Sequence, residues 1–301
     1  MIRSFADLYA ATASLPRRRM VVAAAQDLEV LQAVEDAATR KLVEVTLIGD
    51  GARIQEIAGE HQVDISKMEV VDISDYTAAA REAVRRVSSG EAHMLMKGIL
   101  DSATLLRQVL DREIGLRTGR LLCHVAVMEI PQLGRLLLMT DGGMVIAPNL
   151  EEKTDMLKNA FDVARGLGIN QPKAVPITAL EQVNPKMPAT VDAAKLQELA
   201  ASGEFGDDVL VSGPLAFDGA LDPEAARHKG IKDPVAGLAD ILLMPYIEVG
   251  NVFYKALVRY AQIKVAGIIV GAKAPIVLVS RSDTPEAKCN SIALASYLAR
   301  D

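Results

Sequence analysis

The chain has 301 residues, half of them hydrophobic, with no Trp and with 39 acidic against 33 basic residues. A net charge of −6 argues against a nucleic-acid surface and against a polybasic membrane patch. The two cysteines, Cys123 and Cys289, lie too far apart to suggest a disulfide framework or a cysteine-rich metal site, so a reducing, cytoplasmic setting is the expectation.

Arg19 to Ala25 reads as the first strand. Gln26-Asp27 then caps a helix on which Leu28, Leu31, Val34 and Ala38 recur at helical spacing. Val43 to Ile48 is the second strand, closed by Gly49-Asp50-Gly51, and Ile54 and Ile57 mark a short helix. Met68 to Ile73 is a third strand, and Asp75 opens a helix that ends at Ser88-Ser89-Gly90. Such alternation predicts a parallel sheet with helices on both faces. Ala92 to Met96 delivers Lys97-Gly98 to the end of a buried strand; the helix from Ser102 turns Leu105, Leu106, Val109 and Leu110 inward and leaves Arg107 off that face. Leu121 to Met128 and Arg135 to Met139 are joined so tightly that they predict an antiparallel pair, ended by Thr140-Asp141-Gly142-Gly143.

A second series follows: a helix from Glu151, a strand at Ala174 to Ile177, a helix from Val191, and strands at Val209 to Ser212 and Ala239 to Met244. A loop from Tyr246 to Asn251 leads into a helix with Tyr254, Leu257 and Val258, and Gly267 to Val270 is a further strand. No run reaches the length of a membrane span, and Met1 to Asp7 lacks the apolar stretch of a signal peptide.

Pro275 to Val279 forms the last strand, and Pro285 opens the last helix. Thr284 before Pro285 makes a good N-cap; Asp283 with Glu286 three residues on is an alternative capping box. The loop between, Ser280-Arg281-Ser282, puts a hydroxyl and a forked cation at a helix N-terminus, where unpaired N–H groups favour anions. An ordinary strand-to-helix loop would carry the same residue types.

Lys97, Asp141, Ser212, Ser280 and Arg281 all stand at the ends of apolar strands, where open α/β sheets bind ligands. His124 interrupts an otherwise apolar strand and fits either a core histidine or a ligand contact. The four histidines lack the close spacing of a metal motif, so no metal is expected. No complete dinucleotide fingerprint, phosphate loop or serine elbow is present.

Several of these stretches are similar, in order, to one enzyme family. Val277 to Thr284 with Asn290 to Ala295 resembles the C-terminus of phosphotransacylases. Tyr246-Ile247-Glu248-Val249-Gly250-Asn251-Val252-Phe253-Tyr254-Lys255 resembles their GNxxYK segment, and Ser212 to Asp218 their GPL segment. Leu95-Met96-Lys97-Gly98 and Cys123 to Met128 resemble the phosphate butyryltransferase branch. The resemblance implies reversible transfer of a short acyl group, butyryl above all, between CoA and phosphate in a ternary complex. CoA is then a substrate, with no permanently bound cofactor, no nucleic-acid or membrane partner, and a homo-oligomeric state.

It also implies two α/β domains of mostly parallel sheet, as in isocitrate and isopropylmalate dehydrogenases, with a cleft between them. Residues 1–141 with 272–301 would form one and 142–271 the other. Ser280 and Arg281 map onto the family's Ser-Arg pair at CoA and the reacting centre, and Arg107 onto a further arginine with a one-residue slip. Lys97, Asp141 and Asn251 join them as expected binding groups. The family's base, an aspartate seven residues after the serine, is Ala287 here. Asp283 and Glu286 are the nearest carboxylates; Asp283 is freer in the loop, but Glu286 is closer in position and is the favoured base, with His124 the remaining candidate. The missing base keeps open an inactive CoA- or acyl-phosphate-binding protein. A metal-dependent NAD(P) hydroxy-acid dehydrogenase of the same fold would need an aspartate cluster that the sequence lacks.

Overall fold

The computed structural model describes residues 1–278 and 283–299. The chain forms a middle unit, Met1–Arg3 with Leu121–Ile263, and a terminal unit, Ser4–Arg120 with Lys264–Asp301. In chain order the terminal unit begins with α1 (Phe5–Ala13), β1 (Arg18–Ala23), α2 (Leu28–Thr39), β2 (Val43–Gly49), α3 (Gly51–Glu60), β3 (Glu69–Asp72), α4 (Tyr76–Ser88), β4 (Met94–Lys97) and α5 (Ser102–Val109). The middle unit holds β5 (Cys123–Ile130), β6 (Arg135–Thr140), α6 (Leu150–Gly166), β7 (Lys173–Pro176), α7 (Pro188–Ala201), β8 (Leu210–Val211), α8 (Phe217–Leu221), α9 (Pro223–His228), β9 (Ile241–Leu243) and α10 (Ile247–Tyr260). β10 (Lys264–Val270), β11 (Ile276–Val277) and α11 (Pro285–Leu298) return to the terminal unit.

Both units are mostly parallel. The terminal strands run in the order β3-β2-β1-β4-β11-β10, with β10 antiparallel to β11. The middle strands run β5-β6-β9-β7-β8, with the predicted β5–β6 hairpin as the antiparallel pair. The chain changes unit at 120/121 and 263/264, not at the expected 141/142 and 271/272. Pairing gives the reason. β6 lies beside β9, which draws the whole hairpin into the middle unit, and β10 pairs with β11, the neighbour of β4.

In the terminal unit four successive helices start on aspartate. Asp27, Asp50, Asp75 and Asp101 each accept a hydrogen bond from the amide three residues on, in α2, α3, α4 and α5. Each cap satisfies an amide the helix itself cannot, worth about 1 kcal/mol. These four strand-to-helix turns are thus pinned at the same edge of the sheet. α1 went unread in the sequence; Ser4 and Asp7 form its capping box.

α11 lies at the centre of the terminal unit's packing. Ala287 through Ser296 are all buried, polar residues included. Asn290 Nδ2 donates to Val265 O at 3.1 Å and its Oδ1 accepts from the Tyr9 hydroxyl at 2.5 Å. Ser291 Oγ accepts from Gly267 N at 2.9 Å, Ser296 Oγ donates to Leu42 O at 2.8 Å, and Lys288 pairs with Glu29. A helix without an apolar stripe can be buried all round when its polar groups are bonded in this way.

Candidate active-site residues in the two units

In the terminal unit the chain runs from β1 outward to β2 and β3, then returns to place β4 on the other side of β1. Strand order therefore reverses between β1 and β4, and the crevice at their carboxyl ends is the expected binding edge. Lys97 ends β4 there, 8 % exposed, its Nζ donating to Gly98 O at 3.1 Å and Leu100 O at 3.0 Å. The carbonyls hold a buried ammonium in place while supplying only partial negative charge. Gly98 is required beside it, because a Cβ would lie 1.9 Å from Ala24 O. The β1 and β4 exits are bonded to each other through Gly98 N to Ala23 O and Ile99 N to Ala24 O, both 2.8 Å.

β11 is the next strand over, Val277 pairing with Met96, so the chain after Val277 leaves the sheet beside Lys97. Ser280 and Arg281 lie outside the described residues. Past them, Thr284 is the N-cap of α11, its Oγ1 accepting from Ala287 N at 3.2 Å. The Thr284–Pro285 reading thus holds over the Asp283–Glu286 capping box. Asp283 is half-buried, whereas Glu286 is exposed and pairs with Lys264 at 3.2 Å. Arg107 is exposed in the last turn of α5. The Asp101 carboxyl there is held below the usual range by the Thr104 hydroxyl and amide, and Arg107's charge adds to that.

In the middle unit His124, Asp141 and Asn251 come together around one loop. β5 and β6 run antiparallel, so the start of β5 lies beside the end of β6. Asp141 follows β6 and is 1 % exposed. Its Oδ2 accepts from His124 N at 2.6 Å, and its Oδ1 accepts from Gly143 N at 2.6 Å and Met144 N at 2.8 Å. One carboxylate thereby fixes residues 141–144 through backbone amides. The first turn of α10 lies directly on this loop. A Cβ on Gly250 would stand 2.2 Å from Asp141 O, and Asn251 Nδ2 donates to Gly142 O at 2.9 Å. The Tyr254 ring meets the half-buried His124 ring edge-on, centroids 6.3 Å apart. Gly250, Asn251 and Tyr254 share one helical face, which gives the GNxxY spacing its physical meaning.

Ser212 does not present its hydroxyl at the sheet edge; it is fully buried and donates to Gly213 O at 2.9 Å. The sequence reading missed Lys153, 4 % exposed in α6, whose Nζ bonds Asp192 Oδ2 at 2.7 Å and lies 5.8 Å over the Tyr246 ring. Its signal was available: Lys153 shares a helical stripe with the buried Met156, Leu157, Ala160 and Ala164. Tyr246 is the N-cap residue of α10, so this pair braces the start of the helix that holds the loop.

Neither cysteine serves as a nucleophile at neutral pH. Burial pushes the Cys123 thiol up to about 12 against the opposing hydrogen bond from Asn159, and burial likewise raises Cys289 to about 12. Among the described residues no three of His, Cys, Asp and Glu gather as metal ligands, and no helix is long and apolar enough to cross a membrane.

The family model described as "Phosphate acetyl/butaryl transferase" matches residues 4–83 and 76–296. Phosphate butyryltransferase from Clostridium acetobutylicum is 46 % identical over 299 residues, 99 % of each chain. Phosphate acetyltransferase from Thermotoga maritima is 42 % identical over 282 residues, 94 % of this chain and 95 % of its own. The crystal structure of a branched-chain phosphotransacylase from Enterococcus faecalis superposes with a TM-score of 0.83 at 36 % identity, covering 93 % of this chain and 98 % of that one.

Proposed function

The chain belongs to the phosphate acetyl/butyryl transferase family, and from that premise we propose that it interconverts a short-chain acyl-CoA plus phosphate with acyl phosphate plus CoA, butyryl being the preferred acyl group. The observation that carries this reading is the 46 % identity to a phosphate butyryltransferase along 99 % of both chains. The same likeness favours an acyltransferase over a dehydrogenase or an inactive binding protein.

In the direction of acyl-CoA synthesis, the CoA sulfur attacks the carbonyl carbon of the acyl phosphate. The carbon–oxygen bond to phosphorus breaks, phosphate leaves, and the thiol proton passes to a base. A free thiol is only a few per cent ionised near pH 7, so this base matters. Of the two loop carboxylates, Asp283 suits the role better. Thr284 already caps α11, and Asp283 is half-buried, while Glu286 is exposed and paired with Lys264. Lys97, Arg107 and Arg281 supply positive charge for the phosphate groups of both substrates. The Ser280 hydroxyl and backbone N–H groups steady the tetrahedral oxyanion. In the middle unit Asp141 and Asn251 act through the 141–144 loop, holding it and the His124 ring in one geometry. Transfer is direct, both substrates being held at once, and CoA enters and leaves as substrate. The cytoplasm, where CoA thioesters and reduced thiols are maintained, suits this chemistry.

Phosphate-dependent release of thiol from acetyl-, propionyl-, butyryl- and valeryl-CoA tests the reading. Butyryl-CoA should have the highest kcat/KM, each buried methylene contributing roughly 1–3 kcal/mol of discrimination. A preference for acetyl-CoA would overturn the acyl assignment, and no release in phosphate would overturn the activity. Arg281→Lys keeps the charge and loses the fork, so KM for one substrate should rise with folding intact.

A further inference from the structure

Lys153 buries a charge on α6 alongside the apolar Met156, Leu157 and Ala160, and is itself only 4 % exposed. Its Nζ donates to Asp192 Oδ2 of α7 at 2.7 Å and sits 5.8 Å over the Tyr246 ring. Net stability does not account for such a pair, because taking both charges out of water offsets most of their attraction. What the pair does is fix where three elements meet: α6, α7 and the start of α10. Tyr246 is the N-cap residue of α10, yet its side chain makes no cap hydrogen bond. Its ring faces the ammonium instead.

The loop of residues 141–149 is stitched to the stretch that enters α10. Met244 N donates to Thr140 O at 2.7 Å, Ile247 N to Ile146 O at 2.9 Å and Asn251 Nδ2 to Gly142 O at 2.9 Å, and Gly250 lies against Asp141 O. The loop ends at Asn149, the N-cap of α6, and Lys153 N donates to Asn149 O at 2.9 Å. Loop, α10 start and α6 start therefore form a closed circuit, and the ammonium over the Tyr246 ring joins its two helices. We propose that Lys153 is a positioning residue for acyl transfer: seated between the Asp192 carboxylate and the Tyr246 ring, it fixes the start of α10 and, through it, the Asp141 loop and the His124 ring. The inference rests on the acyltransferase reading above. An aromatic face attracts a cation most strongly where water is excluded. Asp192 neutralises the ammonium and holds it in place over the ring. Without that attraction the start of α10 can drift from the loop. The drift reaches His124 directly, because the Asp141 carboxylate binds the His124 amide as well as those of Gly143 and Met144.

Phosphate-dependent thiol release from butyryl-CoA tests this, beside hydrogen exchange of the intact protein. Lys153→Met keeps an unbranched apolar stem and removes the charge. It should lower kcat on the order of 10-fold to 10²-fold, with KM for acyl-CoA within about twofold of wild type. The Gly143 and Met144 amides should exchange faster in the same variant. Tyr246→Leu, at a position 39 % exposed, should reproduce the loss in kcat, and Tyr246→Phe, which keeps the aromatic face, should recover most of it. The double variant Lys153→Met with Asp192→Leu separates position from stability. Replacing both charges by apolar residues should bring the melting temperature back near that of wild type while kcat stays low. Recovery of kcat together with the melting temperature, or a wild-type kcat for either Lys153→Met or Tyr246→Leu, would overturn the role of Lys153 alone. A wild-type protein that releases no thiol would overturn the acyltransferase reading and this inference with it. If Lys153→Met does not fold, the two Tyr246 variants carry the test.

Discussion

α10 and α11 are both 14-residue helices, and both carry residues that look like family motifs. Their surroundings are opposite. α11 is buried from Ala287 through Ser296, and its polar side chains close hydrogen bonds within the terminal unit. α10 buries one residue and spends its motif on a single loop. The Asn290–Ser291 signature is therefore a packing device, whereas Gly250–Asn251 sets the position of the Asp141 loop. Two equally motif-like sequences divide into one that holds the fold and one that holds the candidate site, and only the bonded partners separate them.

This division is open to direct attack. The largest effect is expected at Gly250→Ala. Its new Cβ would stand 2.2 Å from the Asp141 carbonyl oxygen, a backbone atom with no flexible side chain to give way, so α10 must shift from the loop. Misplacement on that scale should cost on the order of 10²-fold in kcat/KM. The melting temperature should fall as well, overpacking typically costing about 1–3 kcal/mol. Activity unchanged in this variant would dissolve the link between α10 and catalysis.

Asn290→Ala should do the reverse. It strands the Val265 carbonyl and the Tyr9 hydroxyl in a buried site. Denaturant unfolding should register a loss of about 1–3 kcal/mol, with kcat/KM of the folded fraction within twofold or so of wild type. A kinetic defect larger than the stability defect would place α11 on the site side of the comparison.

Asn251→Ala removes one hydrogen bond, to Gly142 O, and leaves the Gly250 contact in place. The expected loss is roughly tenfold or less in kcat, with little change in unfolding free energy. The smallest effect is expected at Thr284→Ala, which removes the α11 cap and should lower stability by about 1 kcal/mol. It should leave the acyl-CoA specificity order unchanged in the thiol-release assay.

Much of the fold was legible in the sequence. Period and length were enough for β1, β2, β4 and the β5–β6 hairpin, because buried parallel strands read as short apolar runs and hairpins announce themselves by a tight turn. α1, α8 and α9 were missed. The last two are only 5 and 6 residues long, too short to show a helical period. The unit boundary was displaced because it depends on which strand β6 pairs with, a long-range fact with no local signal. Within the candidate site, Lys97 and Asp141 were read at strand ends and Asn251 within a motif, and they stand at the end of β4, just after β6 and in α10, while His124, read as interrupting an apolar strand, lies near the start of β5. Their division of labour was not legible. Asp141 spends its carboxylate on three amides, and Ser212 turns its hydroxyl inward. A sequence shows that a polar group stands at a strand end, but the direction it points is set by the neighbouring backbone.

The order of strands also governs how this protein comes off the ribosome. Every residue of the middle unit has been synthesised once Ile263 emerges. The terminal unit, although β1 through β4 are made before any strand of the middle unit, still lacks β10, β11 and α11 at that moment. β1 through β4 must therefore wait, their helices capped but the centre of their packing empty, while a later-made unit already has all its parts. A nascent chain stalled before α11 exposes the apolar faces that this helix would have covered, so aggregation or chaperone capture is decided in the interval before α11 is made.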